Sequence, residues 1–225
     1  MSMGNDTYRN SYRNTRPSAL ELVLLAVVML VFIWSAISPH DRFTWLLEVL
    51  PVIIGIPVLI LVYPTFRMTP LIYVLVALHA VVLMVGGKYT YAEVPLGFWM
   101  ERWFGFTRNH YDRIGHFLQG FVPAMVLREI LIRRSPARGS HWLSFFVVCV
   151  CLALSAFYEL IEFWVAVSTG GAADLFLGTQ GDPWDTQLDM MFALIGAAMA
   201  VLLLSQWHNR QLRLREISIE PIGLL

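Results

Sequence analysis

Six predominantly apolar runs take up most of this chain, and that pattern constrains its fold more than any other feature. They cover residues 20–37, 45–63, 71–85, 111–132, 142–167 and 186–207. A helix rises about 1.5 Å per residue and needs roughly 20 residues to cross a hydrocarbon layer, so runs of this length predict membrane-spanning helices. Turn and charge signals separate them: Ser38-Pro39-His40-Asp41, residues 64–70, Gly86-Gly87-Lys88, residues 133–140 and residues 168–183. The composition agrees, with 57% hydrophobic and 14% charged residues against roughly 25% charged in a soluble domain. A disordered, fibrous or disulfide-stapled secreted protein is excluded. No internal repeat is visible, and the loops leave no room for a soluble domain. The expectation is an all-α polytopic membrane helix bundle of about six transmembrane helices. It divides into an N-terminal tail over 1–19, a single bundle over 20–207 and a C-terminal tail over 208–225.

The first run ends in Ala36-Ile37-Ser38, small enough for a signal-peptidase site, but Pro39 would then follow the cut. An uncleaved helix is the better reading. Sixteen basic residues balance sixteen acidic ones, which leaves no basic field for nucleic acid. Membrane lipids are the expected partners.

Counted by loop, the basic residues are unequal. Arg9, Arg13, Arg16, Arg67, Arg128, Arg133, Arg134, Arg138, Arg210, Arg213 and Arg215 fall on one side, and Arg42, Lys88, Arg102, Arg108 and Arg113 on the other. The positive-inside rule then places both termini in the cytoplasm, in accord with an even number of crossings. The eight tryptophans sit near run ends, as aromatic belts do. Pro51 and Pro57 each remove a backbone hydrogen bond from the second run, predicting a kinked or broken helix. Residues 89–106 interleave seven aromatic residues with Glu93, Glu101 and Arg102, as an interfacial segment or lid between the third and fourth helices would. Cys149 and Cys151, two apart on a helix, point to different faces and read as small core residues.

An ionised group inside a bilayer costs on the order of 2.5 to 3.5 kcal/mol, so its placement is informative. Asp112, His116 and Gln119 form one stripe of the fourth helix, and Glu159 and Glu162 share a face of the fifth. Asp182, Asp185 and Asp189 share a face at the start of the sixth. With helices alternating in direction, these groups and His79 converge on one layer near the outer surface. Asp112, His116, Glu159, Glu162, Asp185 and Asp189 are the candidate metal ligands. Carboxylates with an imidazole suit a divalent cation such as Zn, Mn, Mg or ferrous iron. Other readings stand beside that one. His79 reads as a neutral histidine bonded across helices, and His110 as a rim residue. Asp174 reads as a solvated loop residue, and Arg108 and Arg113 either snorkel or pair with the carboxylates. The six candidates could also form a structural salt-bridge network.

The stretches Asn109 to Gly120 (NHYDRIGHFLQG), Tyr158 to Trp164 (YELIEFW) and Gly178 to Met190 (GTQGDPWDTQLDM) resemble the YjdF family of bacterial inner-membrane proteins, and the resemblance covers essentially the whole chain. It implies a multi-pass inner-membrane location in a Gram-negative bacterium. It implies no reaction, so no catalytic residue is carried over from it.

Three functions are open on these residues. The first is a metal-dependent hydrolase or transferase on a lipid-type substrate at the periplasmic side, with Arg108 or Arg113 steadying an anion. No nucleophile elbow, His-Glu-x-x-His or lipid-phosphatase element accompanies it. The second is a small proton- or cation-coupled transporter using the same acids. The third is a binding or assembly protein with a structural polar network.

Overall fold

The computed structural model describes residues 16–140, 142–170 and 174–215, with the side chains of Asp174 and Leu175 left out. The expectations for residues 1–15 and 216–225, Arg9 and Arg13 among them, lie outside the described residues. Every regular element among the described residues is helical: α1 Ala19–Ala36, α2 Arg42–Val62, α3 Pro70–Tyr89, a 3-10 turn Tyr91–Glu93, α4 Pro95–Phe104, α5 Tyr111–Arg134, α6 Trp142–Thr169, α7 Asp174–Leu177 and α8 Asp185–Leu214.

The boundaries follow local chemistry. Ser18 and Glu21 form a reciprocal capping box at the start of α1, which satisfies otherwise orphaned amides. The Asp41 carboxylate accepts from the Thr44 amide at 2.7 Å and caps α2. Pro70 and Pro95 open α3 and α4 at the first-turn positions where a missing N–H costs nothing. Gly105 ends α4 with φ +68, a left-handed conformation that a side chain would penalise. α2 continues through Pro51 and Pro57 without a break.

α1, α2, α3, α6 and α8 are long and apolar enough to cross a membrane. α5, at 24 residues, is long enough but too charged for a lipid-facing span. It carries Asp112, Arg113, Arg128, Glu129, Arg133 and Arg134 and packs against α8, α6 and α3, so protein rather than lipid receives its polar faces. Arg128, counted from sequence with the loop arginines, is only 3% exposed. Asp174 opens the short helix α7 instead of lying in open loop.

The bundle has two halves. α1 and α2 each pack on α3, while α6 and α8 pack on α5, and α3 meets α5 between them. The closest approach is α5 against α8. A Cβ on Gly120 would lie 1.8 Å from the Ala193 carbonyl oxygen, and one on Gly196 would lie 2.0 Å from the Phe117 carbonyl oxygen. The two backbones therefore touch through paired glycines, as small residues allow in membrane helix packing. An apolar core around them includes Leu118, Val122, Met125, Ala197 and Ala200. Seven tryptophans are exposed at the bundle surface, while Trp45 turns inward, its indole N–H donating to Ser35 Oγ at 3.1 Å and joining α2 to α1. Both cysteines are free thiols; Cys151 is in the core as expected, whereas Cys149 is exposed on the outer face of α6.

The described chain begins and ends at one end of the bundle. There Arg67 pairs with Glu21 at 2.6 Å, and Arg215 donates to the Met68 carbonyl at 2.7 Å.

Candidate metal centre in the carboxylate layer

All six candidate ligands lie at the opposite end of the bundle, on three helices. α5 supplies Asp112 and His116, α6 supplies Glu159 and Glu162, and α8 supplies Asp185 and Asp189. Glu162 is half-buried and the other five are at most 9% exposed.

The loops that carry these helices are tied together first. The Asn109 amide donates to Gln180 Oε1 at 3.1 Å, and Gln180 Nε2 donates back to the Asn109 carbonyl at 2.8 Å. The buried Asn109 side chain accepts from the Tyr111 amide and donates to the Val94 carbonyl. Residues 94, 109 and 180 are thus fixed to one another, which sets the depth at which α5 and α8 begin. His110 packs edge-on against Phe106 at a centroid distance of 4.8 Å, a rim position as the sequence suggests. Burial, with the Arg108 and Arg113 charges nearby, pushes its imidazole below the ordinary histidine value, so it is neutral at neutral pH.

Two arginines divide the acidic layer into unequal parts. Arg108 donates to Asp182 at 3.1 Å and Asp185 at 3.0 Å, and to the carbonyls of Thr179 and Gly178. Arg113 donates to Asp185 at 2.6 Å, to Asp189, and to Asp112 and Asp182 at 3.4 Å each. Both guanidinium groups are therefore committed to aspartates, and neither snorkels.

The second part has no such cation. Among the described residues no arginine or lysine ion pair reaches Glu159, Glu162 or Glu48. Glu159 Oε1 faces His116 Nδ1 at 3.7 Å, too far for a hydrogen bond, and that oxygen is buried with no partner. The other imidazole nitrogen, Nε2, faces Asp112 at 3.5 Å and Asp189 at 3.7 Å. Gln119 Oε1 lies 2.9 Å from Nδ1 and orients the ring.

Two three-donor groups follow, Asp112–His116–Asp189 and His116–Glu159–Glu162, each with its donor atoms within 4.8 Å of one another. Bonds of about 2.0–2.2 Å from a divalent metal to imidazole nitrogen or carboxylate oxygen leave neighbouring donors ~3–4 Å apart, which both groups can meet. Asp185 belongs to neither group, being held by the two arginines.

Sequence reasoning missed Glu48. It lies on α2 and is 5% exposed, and its Oε2 accepts a long 3.5 Å bond from the Tyr158 hydroxyl. The Tyr158 ring in turn stands edge-on to His116 at 6.3 Å. The available signal was simple, since Glu48 is the one acidic residue within the second apolar run. His79 does not make the expected bond across helices through Nε2, which is buried without a partner.

A second network at the arginine-rich end was missed entirely. Glu129 and His208 have no exposed surface. Glu129 accepts from the Thr69 amide and hydroxyl at 3.1 and 2.8 Å and from Arg133 at 2.6 Å, and it meets His208 Nε2 at 3.0 Å. Arg128, which can only donate, lies 2.8 Å from His208 Nδ1. That nitrogen must accept, so Nε2 carries the proton donated to Glu129. Glu129→Gln removes the charge and keeps the shape, and is expected to cost about 2 kcal/mol in a reversible unfolding measurement in detergent.

Over residues 20–210 the chain matches the model of a family described as "Predicted membrane protein (DUF2238)". It is 52% identical over 201 residues to "Inner membrane protein YjdF" of Escherichia coli (strain K12), covering 89% of this chain and 96% of that relative. No solved structure matches.

Proposed function

The chain belongs to the DUF2238 family of predicted membrane proteins and is a multi-pass inner-membrane protein, and from that premise we propose that its carboxylate layer is a divalent-metal centre of a hydrolase or transferase acting on a lipid-type substrate. The observation that carries this reading is the uncompensated half of the layer. Three glutamates and an imidazole from three helices meet there without an arginine, and Glu159 Oε1 is buried without a hydrogen-bond partner. Leaving a buried carboxylate oxygen unmatched is costly, and a cation between His116, Glu159 and Glu162 removes that cost.

On this reading the six candidates take different parts. His116, Glu159 and Glu162 would be the ligands, with Gln119 turned away from Nδ1 to free its lone pair, and Asp112 and Asp189 would hold the protonated Nε2 on the opposite edge of the ring. Asp185, with Asp182, anchors the two arginines. Arg108 and Arg113 are already paired with aspartates, so neither is the group that steadies an anionic substrate. A bound Zn, Mn, Mg or ferrous ion would polarise a phosphoryl or acyl oxygen and activate water. Glu48 stands outside both donor groups beside Tyr158 and would be the carboxylate left over to act as a base. A lipid-type substrate fits the surroundings, because α4 leads directly into the site and exposes Trp99 and Trp103 in a position suited to the membrane interface.

Transport fits less well. Among the described residues the polar networks at the two ends of α5 and α8 are separated by the apolar core around Gly120 and Gly196.

Metal analysis of the detergent-purified full chain tests the proposal. The expected result is at least one divalent ion per chain, lost in His116→Ala and Glu159→Gln and retained in Asp185→Asn. Absence of metal after incubation with Zn or Mn would overturn the reading. Release of phosphate or fatty acid from bacterial lipid extract by metal-loaded protein, lost in Glu162→Gln, is the accompanying activity test.

A further inference from the structure

α1 and α2 are consecutive helices that meet at the Trp45–Ser35 contact, but towards the arginine-rich end they are separated over much of their length. Both pack on α3 instead, and a groove of about 330 Å³ remains between them. Its walls include Leu25 and Ile60, and Val76 and Ala77 of α3 form its floor. Only its mouth is polar, at Glu21 and Tyr63. In a membrane-spanning bundle such a groove faces hydrocarbon, and its walls give water nothing to bond.

The mouth has a marked charge. Arg67 lies on Glu21 and over the Tyr63 ring at 5.3 Å. Arg133 and Arg215 donate to the Arg67 carbonyl, and Arg134 reaches the Thr65 carbonyl at 3.5 Å. Among the described residues four guanidinium groups thus surround one short loop, and the acids Glu21 and Glu129 beside them are already engaged. Arg134 is exposed, and Arg215 makes its hydrogen bonds here through Nη1, so donors remain on both. Arg16, exposed one residue before the groove-lining Pro17, adds to the same field.

We propose that the groove between α1 and α2 holds one acyl chain of an anionic phospholipid, whose phosphate is taken by the arginines around loop 63–69. The apolar walls select a hydrocarbon chain, and the remaining donors of Arg134 and Arg215 select negative charge. Basic pockets between helices at a cytoplasmic surface bind anionic headgroups by the same physics. The site is at the far end of the bundle from the carboxylate layer and does not depend on a metal there.

The test uses full-length protein stripped of lipid in detergent, with bound lipid read by native mass spectrometry and stability by thermal melting. The probes are phosphatidylglycerol, phosphatidylethanolamine with the same chains, and inorganic phosphate. Phosphatidylglycerol is expected to stay bound and raise the melting temperature, with phosphatidylethanolamine roughly tenfold weaker and phosphate without effect. Arg134→Gln combined with Arg215→Gln should abolish the preference between the two lipids. Leu25→Trp, which fills the groove from an exposed position, should weaken both, and Ile60→Trp provides the same test on α2. Equal binding of the two lipids by the unaltered chain overturns the headgroup assignment. Unchanged lipid binding in both tryptophan variants overturns the groove assignment, and a full effect from inorganic phosphate overturns the lipid itself.

Discussion

Arg113→Met is expected to cost the folded bundle about 4 kcal/mol, the largest effect of any single substitution in the carboxylate layer. Arg113 is 4% exposed and is the charge that Asp112, Asp185 and Asp189 share. Removing one partner of a buried ion pair leaves the other charged, desolvated and unpaired, and that accounts for most of the loss. Asp185 keeps Arg108 at 3.0 Å, but Asp189 has no other arginine. The double variant Arg113→Met with Asp189→Asn should therefore be more stable than Arg113→Met alone. A double-mutant cycle from reversible unfolding in detergent measures that coupling. A cost below about 1 kcal/mol for Arg113→Met would show that the aspartates do not depend on this guanidinium.

Gly120→Ala is expected to cost about 3 kcal/mol, although alanine is the better helix former by about 1 kcal/mol. The added carbon would lie 1.8 Å from the Ala193 carbonyl oxygen, and a backbone atom cannot rotate aside as a side chain can. The helices must separate, which weakens packing along the seam. Gly196→Ala meets the Phe117 carbonyl in the same way. Gly55→Ala on α2 is the control, since nothing lies within 4 Å of its added carbon, and it should be neutral or slightly stabilising. The seam also sets how far Asp189 on α8 lies from His116 on α5. If the layer holds the proposed metal, Gly120→Ala should therefore weaken its retention as well as stability, whereas Gly55→Ala should change neither. Equal melting temperatures for the Gly55 and Gly120 variants would refute the close approach.

The legibility of this protein from its sequence varied with the kind of feature. The six runs located all six long helices; for five of them the requirement for apolar length acts residue by residue and needs no knowledge of neighbours, whereas α5 is too charged to span against lipid and depends on the helices packed around it. The stripes Asp112/His116 and Glu159/Glu162 were legible because helical spacing puts them on single faces. Which groups would meet was much less legible. Asp182, expected on one face with Asp185 and Asp189, lies in the turn before α8; Asp182 and Asp185 are taken by two arginines while Asp189 pairs with one arginine and also faces His116. An arginine long enough to reach either water or a carboxylate carries no mark of which it will choose. Glu129 and His208 escaped notice because 79 residues separate them in the chain and each looks ordinary in its own helix.

The sequence by itself determined an all-helical membrane protein with most of its arginines towards one end and most of its acids towards the other, since desolvation penalises each misplaced charge whatever its partners. Only the tertiary structure decided that α5 is buried against α8 through Gly120 and Gly196, and that the acids divide into an arginine-paired half and an unpaired half. Those outcomes depend on distances between helices, and the sum of close contacts across a packed seam is not encoded at any one position.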